Sequence, residues 1–394
     1  MIFFVASSIM KYDVIIVGAG PAGSSAAYLL ASAGMRVALL DQYAFPRDKL
    51  CGGLLSGRSQ RVFTEIFGAS WSPTIEYLSH GVAIYHRDRL LNALEDASPL
   101  HFTSRSVFDA HLLQLAEQQG ATFLQANVSG LDRADNTLYL KDGQQFQADF
   151  IIGADGVLST IANSLYPHSL DKRRLGLAME IELPRETITQ DVTMPEIYFG
   201  LVQWGYGWVF PKAETLTVGI GGVWQKNPSM LHAFQEFLKQ RFGFQPDVRI
   251  KGHYLPFRVY RRRPGSGSVL LVGDAAGLVE PITGEGIAFA MQSGQFAASS
   301  ILEAAKQGNP SAAFACYRPR YQHFVKMFDI AHLMGYFLFP RPMEMLFTKL
   351  LPKSQGALRR QIELLADDIS YEEFLGMMLR WLLKSAQIPF LSGR

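Results

Sequence analysis

Two cysteines in 394 residues, Cys51 and Cys316, are too few for a disulfide framework or a cysteine-based metal centre. No metal site is expected, and a reducing compartment, the cytoplasm, is the expected setting. An excess of one charge is also missing. Thirty-seven Lys and Arg stand against 35 Asp and Glu, a formal net charge of +2, which gives no whole-chain case for nucleic acid as a partner. No uninterrupted apolar run reaches the ~18 residues that a membrane-spanning helix needs, so a soluble or peripheral protein is expected. The opening MIFFVASSIM is apolar but has no basic residue. It reads as a short extension rather than a cleaved leader, with Met10 as an alternative start. What remains is a globular chain, 48% hydrophobic and 18% charged, long enough for two or three structural units around a large core.

The chain is organised around Tyr12–Asp41, YDVIIVGAGPAGSSAAYLLASAGMRVALLD. A short apolar run ends in Gly18-Ala19-Gly20-Pro21-Ala22-Gly23, an alanine-rich helical segment follows, and a second apolar run closes at Asp41. This is the pattern of a βαβ unit with GxGxxG in its first turn. Gly18 permits the turn, Gly20 lets backbone approach a pyrophosphate, and Gly23 lets helix pack on strand. The helix N-terminus from Pro21 and Ala22 offers unpaired N–H groups to the phosphates. Asp41, 18 residues beyond Gly23, is placed to accept hydrogen bonds from a ribose. The motif predicts a bound dinucleotide.

Further along, Pro46 and the charges at 47–49 mark a loop running to Cys51-Gly52-Gly53. Two adjacent glycines there suggest backbone passing close to something flat rather than a packing need. His80–Arg89 alternates as a strand. Arg105 opens an amphipathic helix whose apolar side is read as Val107, Phe108, Leu112, Leu113, Leu115 and Ala116. Residues 122–140 and 145–152 read as a β-meander delivering Asp155 beside Gly156. From about Arg173 to Phe257 the texture is antiparallel, interrupted by a helix over 230–241. Tyr206, Trp208 and Phe210 alternate along one strand and so share a face. That stripe suits either a buried core or the wall of a binding cavity. Val269–Val272 is another buried strand ending at Gly273-Asp274, which in a three-layer fold rejoins the sheet begun at Val14. It leads through Gly284 and Gly286 into a long small-residue helix over 287–305. The remainder reads as helices broken at Pro340, Pro342 and Pro352. Between residues 310 and 360, eight Lys or Arg stand against two Asp or Glu, beside the apolar stretch Phe328–Phe339. Basic charge beside apolar side chains marks a candidate peripheral membrane contact, the other reading being helices that cap the core with a solvated basic face.

Three glycine/acid stations in chain order, Gly18–Gly23 with Asp41, Asp155-Gly156 and Gly273-Asp274, resemble the FAD-binding fold of the para-hydroxybenzoate hydroxylase-like flavoproteins over residues 11–308. That resemblance implies a Rossmann-like α/β FAD-binding domain with an inserted antiparallel β-sheet substrate domain and a helical C-terminal region. It places the FAD pyrophosphate at the first station and the adenosine ribose at Asp41. It also puts Asp155 near a nicotinamide path, Asp274 on the ribityl chain, Arg105 close to the flavin or its ribityl, and Gly284 and Gly286 beside the pyrimidine ring. Cys51, Gly52 and Gly53 are then expected to line the flavin, with Cys51 a candidate active thiol. Two further stretches, Lys49–Gly53 and Tyr206-Gly-Trp208-Val-Phe210-Pro-Lys212 followed by Val218-Gly219, resemble the geranylgeranyl reductases. This favours the cavity-wall reading of Tyr206 and Trp208.

The expected domain division is 11–75, 104–166 and 266–308 for FAD, 76–103 and 167–265 for substrate, and 309–394 for the helical region. No second GxGxxG has strand-and-helix context, so NADPH or a small electron carrier is expected to act as a transient reductant. The expected activity is reduction of an isoprenoid double bond on a hydrophobic small molecule by hydride from reduced FAD. Cys51 or Tyr206 is the candidate proton source, and Trp208 part of the channel. Two alternatives use the same residues: a monooxygenase or halogenase acting on an aromatic substrate, and a flavoprotein that modifies a partner protein docked on the C-terminal helices.

Overall fold

The computed structural model describes residues 10–243 and 247–386, so most of the expected N-terminal extension lies outside the described residues. Among the described residues the strands fall into sheets of eight, seven and three. The architecture is mixed α/β, with an FAD-binding-type sheet, a second sheet and a helical C-terminal region.

The eight-stranded sheet is centred on Met10–Val17, which pairs in parallel with Val37–Asp41 on one side and Gln145–Gly153 on the other. Val269–Leu271 adds in parallel beyond Gln145–Gly153, so the chain does rejoin the sheet begun at Val14. Val14–Val17 and Val37–Asp41 are buried along their length, as unbroken apolar runs in a parallel sheet covered on both faces should be. Thr122–Gln125 departs from the expected meander. It pairs in parallel with Val37–Asp41 at the sheet edge, and the antiparallel ladder begins only at Val128–Asp132. Alternation and turn residues specify a strand but not its partner.

Helix Pro21–Ser32 lies against Ile287–Lys306, and small residues make the approach close: a Cβ on Gly294 would stand 2.3 Å from the Ala22 carbonyl oxygen. Helix Arg105–Gln118 buries Phe108, Leu112, Leu113 and Ala116 as expected. Val107, assigned to the same face, is instead exposed, because it stands about 100° around the helix from Phe108 on the solvent side.

The seven-stranded sheet runs in the order Lys251–Leu255, Gly176–Pro184, Thr215–Val223, Gly205–Pro211, Glu196–Phe199, Val82–His86, Arg89–Leu94. It is antiparallel except where Glu196–Phe199 meets Val82–His86. Its two faces divide by strict alternation. Ile181, Leu183 and Val218 pack under helix Met230–Phe242, while Ala178, Trp208 and Phe210 face the other way.

Helix Ala313–Gly335 packs Phe324 and Phe328 edge-on against Phe289, with centroids 6.0 and 5.1 Å apart. Pro340 precedes helix Arg341–Leu350 as a break, but Pro342 sits in that helix's first turn, where a missing N–H costs nothing. None of the ten residues of Arg341–Leu350 is fully buried. Helix Gln355–Ala366 returns beneath the second sheet, and Asn92 Nδ2 donates to the Leu351 carbonyl at 2.9 Å. No helix among the described residues is long and apolar enough to cross a membrane.

A candidate cofactor and substrate cavity

Gly18 has φ +105°, and a Cβ there would lie 2.2 Å from the Ala154 carbonyl oxygen, so the first turn and the end of the neighbouring strand are in direct contact. Gly20 caps helix Pro21–Ser32 without any side-chain bond, leaving the first-turn N–H groups free to meet an anion. Asp41 holds this turn from below. Its Oδ2 accepts from the Ala19 N–H at 2.9 Å and its Oδ1 from the Tyr43 N–H at 3.0 Å. The carboxylate keeps lone pairs for a ribose and fixes the phosphate-binding turn at the same time.

Arg105 is buried and bound in a fork by Asp109, at 2.6 and 2.7 Å. Asp109, with no exposed surface, also takes Arg47 at 3.2 Å. Both guanidinium groups lie over Gly20: a Cβ there would be 3.5 Å from Arg47 Nη2 and 3.9 Å from Arg105 Nη2. Two cations over an uncapped helix N-terminus fit a pyrophosphate. In the sequence Arg47 reads only as a loop charge, and Asp109 only as a polar residue of the helix. The second was legible in the i,i+4 spacing of Arg105 and Asp109, which pairs them on one helix face.

Asp274 faces the same cavity with Lys49 Nζ 3.8 Å away. Asp155 is the acid that the resemblance puts near a nicotinamide path. It lines the cavity, but its carboxylate accepts from the Thr160 N–H at 2.7 Å, the Ile161 N–H at 3.2 Å and the Ser159 hydroxyl, capping helix Thr160–Leu165. Burial pushes its carboxyl above the ordinary range.

The Cys51–Gly53 loop runs along the aromatic stripe. A Cβ on Gly52 would meet the Phe210 ring at 2.8 Å, so packing does explain this glycine, contrary to the expectation from sequence. The loop also lines the cavity with Cys51, Gly52 and Gly53. Tyr206, Trp208 and Phe210 do share a face, with successive ring centroids 6.0 and 6.3 Å apart. The Tyr206 hydroxyl donates to the Thr283 carbonyl, tying this strand to the Gly284–Gly286 loop, and burial pushes its pKa well up. Cys51 is a free, half-buried thiol lining the cavity; its Sγ accepts from the Gly53 N–H at 3.4 Å.

These pieces surround one continuous cavity of about 1440 Å³. That exceeds the roughly 300–1,000 Å³ typical of a single small-molecule site. It is lined by Gly18, Gly20 and Asp41, by Cys51, Tyr206, Trp208 and Gly284, and by Phe347, Leu358, Ile362 and Met378 from the C-terminal helices. An uncapped helix N-terminus, two arginines held by Asp109, a turn-holding aspartate and a loop rich in glycine fit FAD.

Comparison with known proteins agrees with this geometry. A family model described as an FAD binding domain matches residues 11–176. The geranylgeranyl diphosphate reductase of Rhodobacter capsulatus is 30% identical over 77% of this chain and 78% of its own length. The chloroplastic geranylgeranyl diphosphate reductase of Arabidopsis thaliana is 30% identical over 76% of this chain and 67% of its own. Among solved structures, a geranylgeranyl bacteriochlorophyll reductase-like protein from Thermoplasma acidophilum superposes with a TM-score of 0.76 at 23% identity, covering 95% of this chain and all of the other.

Proposed function

We propose, from the premise that this chain belongs to the geranylgeranyl reductase family of FAD-dependent oxidoreductases, that it reduces carbon–carbon double bonds of an isoprenoid substrate. The observation that carries the proposal is the continuity of the cavity. The cofactor cradle, the aromatic wall and apolar side chains of the C-terminal helices line the same cavity, which suits a long greasy chain. Bound FAD supplies hydride for one alkene carbon. The chain's own residues do the rest. Tyr206, Trp208 and Phe210 hold the alkene flat and exclude water, which matters because an isolated alkene is a poor hydride acceptor and depends on positioning.

The second alkene carbon needs a proton. The Tyr206 hydroxyl is committed to the Thr283 carbonyl, and burial makes it a weaker acid. That leaves the Cys51 thiol, which faces the cavity, as the group that holds the proton. In this reading, residues 11–75, 104–166 and 266–308 serve the cofactor, and 76–103 and 167–265 serve the substrate. NADPH or a small electron carrier reaches the flavin transiently. Leu333, Tyr336 and Met345, exposed on the basic C-terminal helices, seat the protein on an anionic membrane surface from which such a substrate is drawn.

The test is anaerobic. Purified protein with chemically reduced flavin is offered prenyl diphosphates, prenylated quinones and prenyl lipids, and flavin reoxidation is followed alongside product mass. Reoxidation with a gain of two hydrogens is expected. If no member of that panel is reduced, and an aromatic compound is hydroxylated or halogenated once air is admitted, the reductase reading is wrong. Cys51→Ala should slow reduction with FAD retained and Tyr206→Phe should slow it less; if both variants stay near normal, neither is the proton source.

A further inference from the structure

Strand Gly176–Pro184 turns Ala178, Glu180 and Glu182 toward the cavity side of the second sheet, and Glu180 is almost wholly buried. Its Oε1 accepts the Cys51 backbone N–H at 2.8 Å, a contact across 129 residues that ties the sheet to the loop carrying the thiol. Its Oε2 is buried with no hydrogen-bond partner. Two strands further on, the indole Nε1 of Trp208 is also buried and unpartnered. Gly219 stands in register between them, opposite both Glu180 and Trp208. A Cβ on Gly219 would be 2.4 Å from the Trp208 ring, so the glycine is the space across which the indole lies. The same indole nitrogen is 3.4 Å from where a Gly52 Cβ would be. An orphaned acceptor and an orphaned donor therefore flank the Cys51-Gly52 backbone.

We propose that Glu180 is the positioning residue of the Cys51–Gly53 loop, and that its protonated form is the one that holds the loop in place for reduction. The proposal rests on the reductase reading for its rate measurement and stands apart from it for its spectral one. A deprotonated Oε2 would be a buried charge with nothing to meet it, whereas a protonated one is neutral and is itself a donor. Burial lifts this carboxyl to about 7, outweighing the Cys51 N–H bond, which by itself favours the ionised form.

The charged and titratable groups around it are few. Glu182 stands on the same strand, Lys212 at the end of the strand that carries Trp208, Lys251 directly opposite on the edge strand, and Cys51 on the loop. Lys212 is already paired with Glu182 at 3.0 Å, and Lys251 with the exposed Asp48 of the loop. When Glu180 loses its proton, the nearest compensation is for Lys251 to leave Asp48 or for the Trp208 indole to turn toward the carboxylate. Either movement shifts the Cys51 loop or the alkene wall.

The experiment uses the FAD-loaded full chain. In the wild type, the alkene-reduction rate is expected to fall about tenfold per pH unit above about 7, with a matching pH-dependent change in the flavin absorption spectrum that needs no substrate. Glu180→Gln keeps an oxygen for the Cys51 N–H but cannot ionise, so the fall in rate that begins at about 7 and the spectral change should both vanish. If E180Q keeps the wild-type alkaline limb or spectral change, the proposal is overturned. It is equally overturned if E180Q holds FAD but reduces nothing at any pH, since the carboxyl would then be the proton source. Lys251→Met, at the cavity rim, gives a second reading should E180Q fail to fold. Removing that cation should move the spectral transition to higher pH, and a transition that stays or moves lower refutes the assignment.

Discussion

Removing Arg58 should unfasten the C-terminal helices from the cofactor loop, at a cost set by the carboxylate left behind. Arg58 is 4% exposed in its side chain and reaches three places at once. Its Nη1 donates to Glu285 Oε2 at 2.9 Å, in the loop between Gly284 and Gly286; its Nη2 donates to Asp367 Oδ1 at 3.0 Å and to the Leu364 carbonyl at 3.1 Å. The guanidinium also lies over the Phe289 and Tyr371 rings. In Arg58→Met the hydrocarbon volume stays, but Glu285 keeps only its bond from the Ser56 hydroxyl. Breaking one side of a buried pair costs about 3–5 kcal/mol, against roughly 0–1 kcal/mol for an exposed pair.

The sign of the pH dependence is fixed. Burial already raises the Glu285 carboxyl, and losing Arg58 removes a contribution that lowers it. A carboxyl with a raised folded pKa contributes its stability below its unfolded value and loses it as pH rises through the folded one. The deficit of R58M should therefore be largest at about pH 8 and shrink as pH falls toward the carboxyl's own range. Denaturant unfolding of the FAD-loaded protein, followed by far-ultraviolet circular dichroism and by flavin fluorescence, reads both quantities. R58M/E285Q removes the pair as a unit and should recover most of the loss. A deficit under about 0.5 kcal/mol, or one that is independent of pH, or a double variant no better than the single, would refute the reasoning.

Gly219→Ala drives a methyl into the Trp208 indole and should cost about 1–3 kcal/mol in unfolding experiments, with alkene reduction falling more than FAD content. Asp41→Ala removes the acceptor of the Ala19 and Tyr43 N–H groups, so FAD affinity measured by equilibrium dialysis should drop at least about tenfold, equivalent to ~1.4 kcal/mol. Ala357→Trp fills the part of the cavity lined by the C-terminal helices. It should raise KM for a long prenyl substrate by about tenfold or more while changing a short prenyl analogue much less; equal effects on both would mean that this part does not hold the chain.

The first βαβ unit was legible because its chemistry is local. Strand, glycine turn, helix and acid follow one another within Tyr12–Asp41, and each is constrained by the next. The helix from Arg105, the strand at Val269 and the aromatic alternation of Tyr206, Trp208 and Phe210 were legible for the same reason, since periodicity is a property of neighbours. Partners were not. Thr122–Gln125 was readable as a strand but not as the parallel neighbour of Val37–Asp41, and Gly52 was readable as a close approach but not as one to Phe210. Arg47 reads as a loop charge, and only the fold turns it onto the phosphate turn, where Asp109 holds it beside Arg105.

By itself, then, the sequence determined that a dinucleotide cradle stands at the start of the chain and that an aromatic strand face exists later. Tertiary structure alone decided that the two meet. It set Glu180 under the Cys51 amide and lined the cavity with side chains of helices from the last part of the chain. The physical reason is one of range. Backbone conformation and side-chain periodicity are fixed by residues a few positions apart, whereas the burial that lifts a carboxyl, or leaves an indole N–H unpartnered, is created by segments more than a hundred residues away.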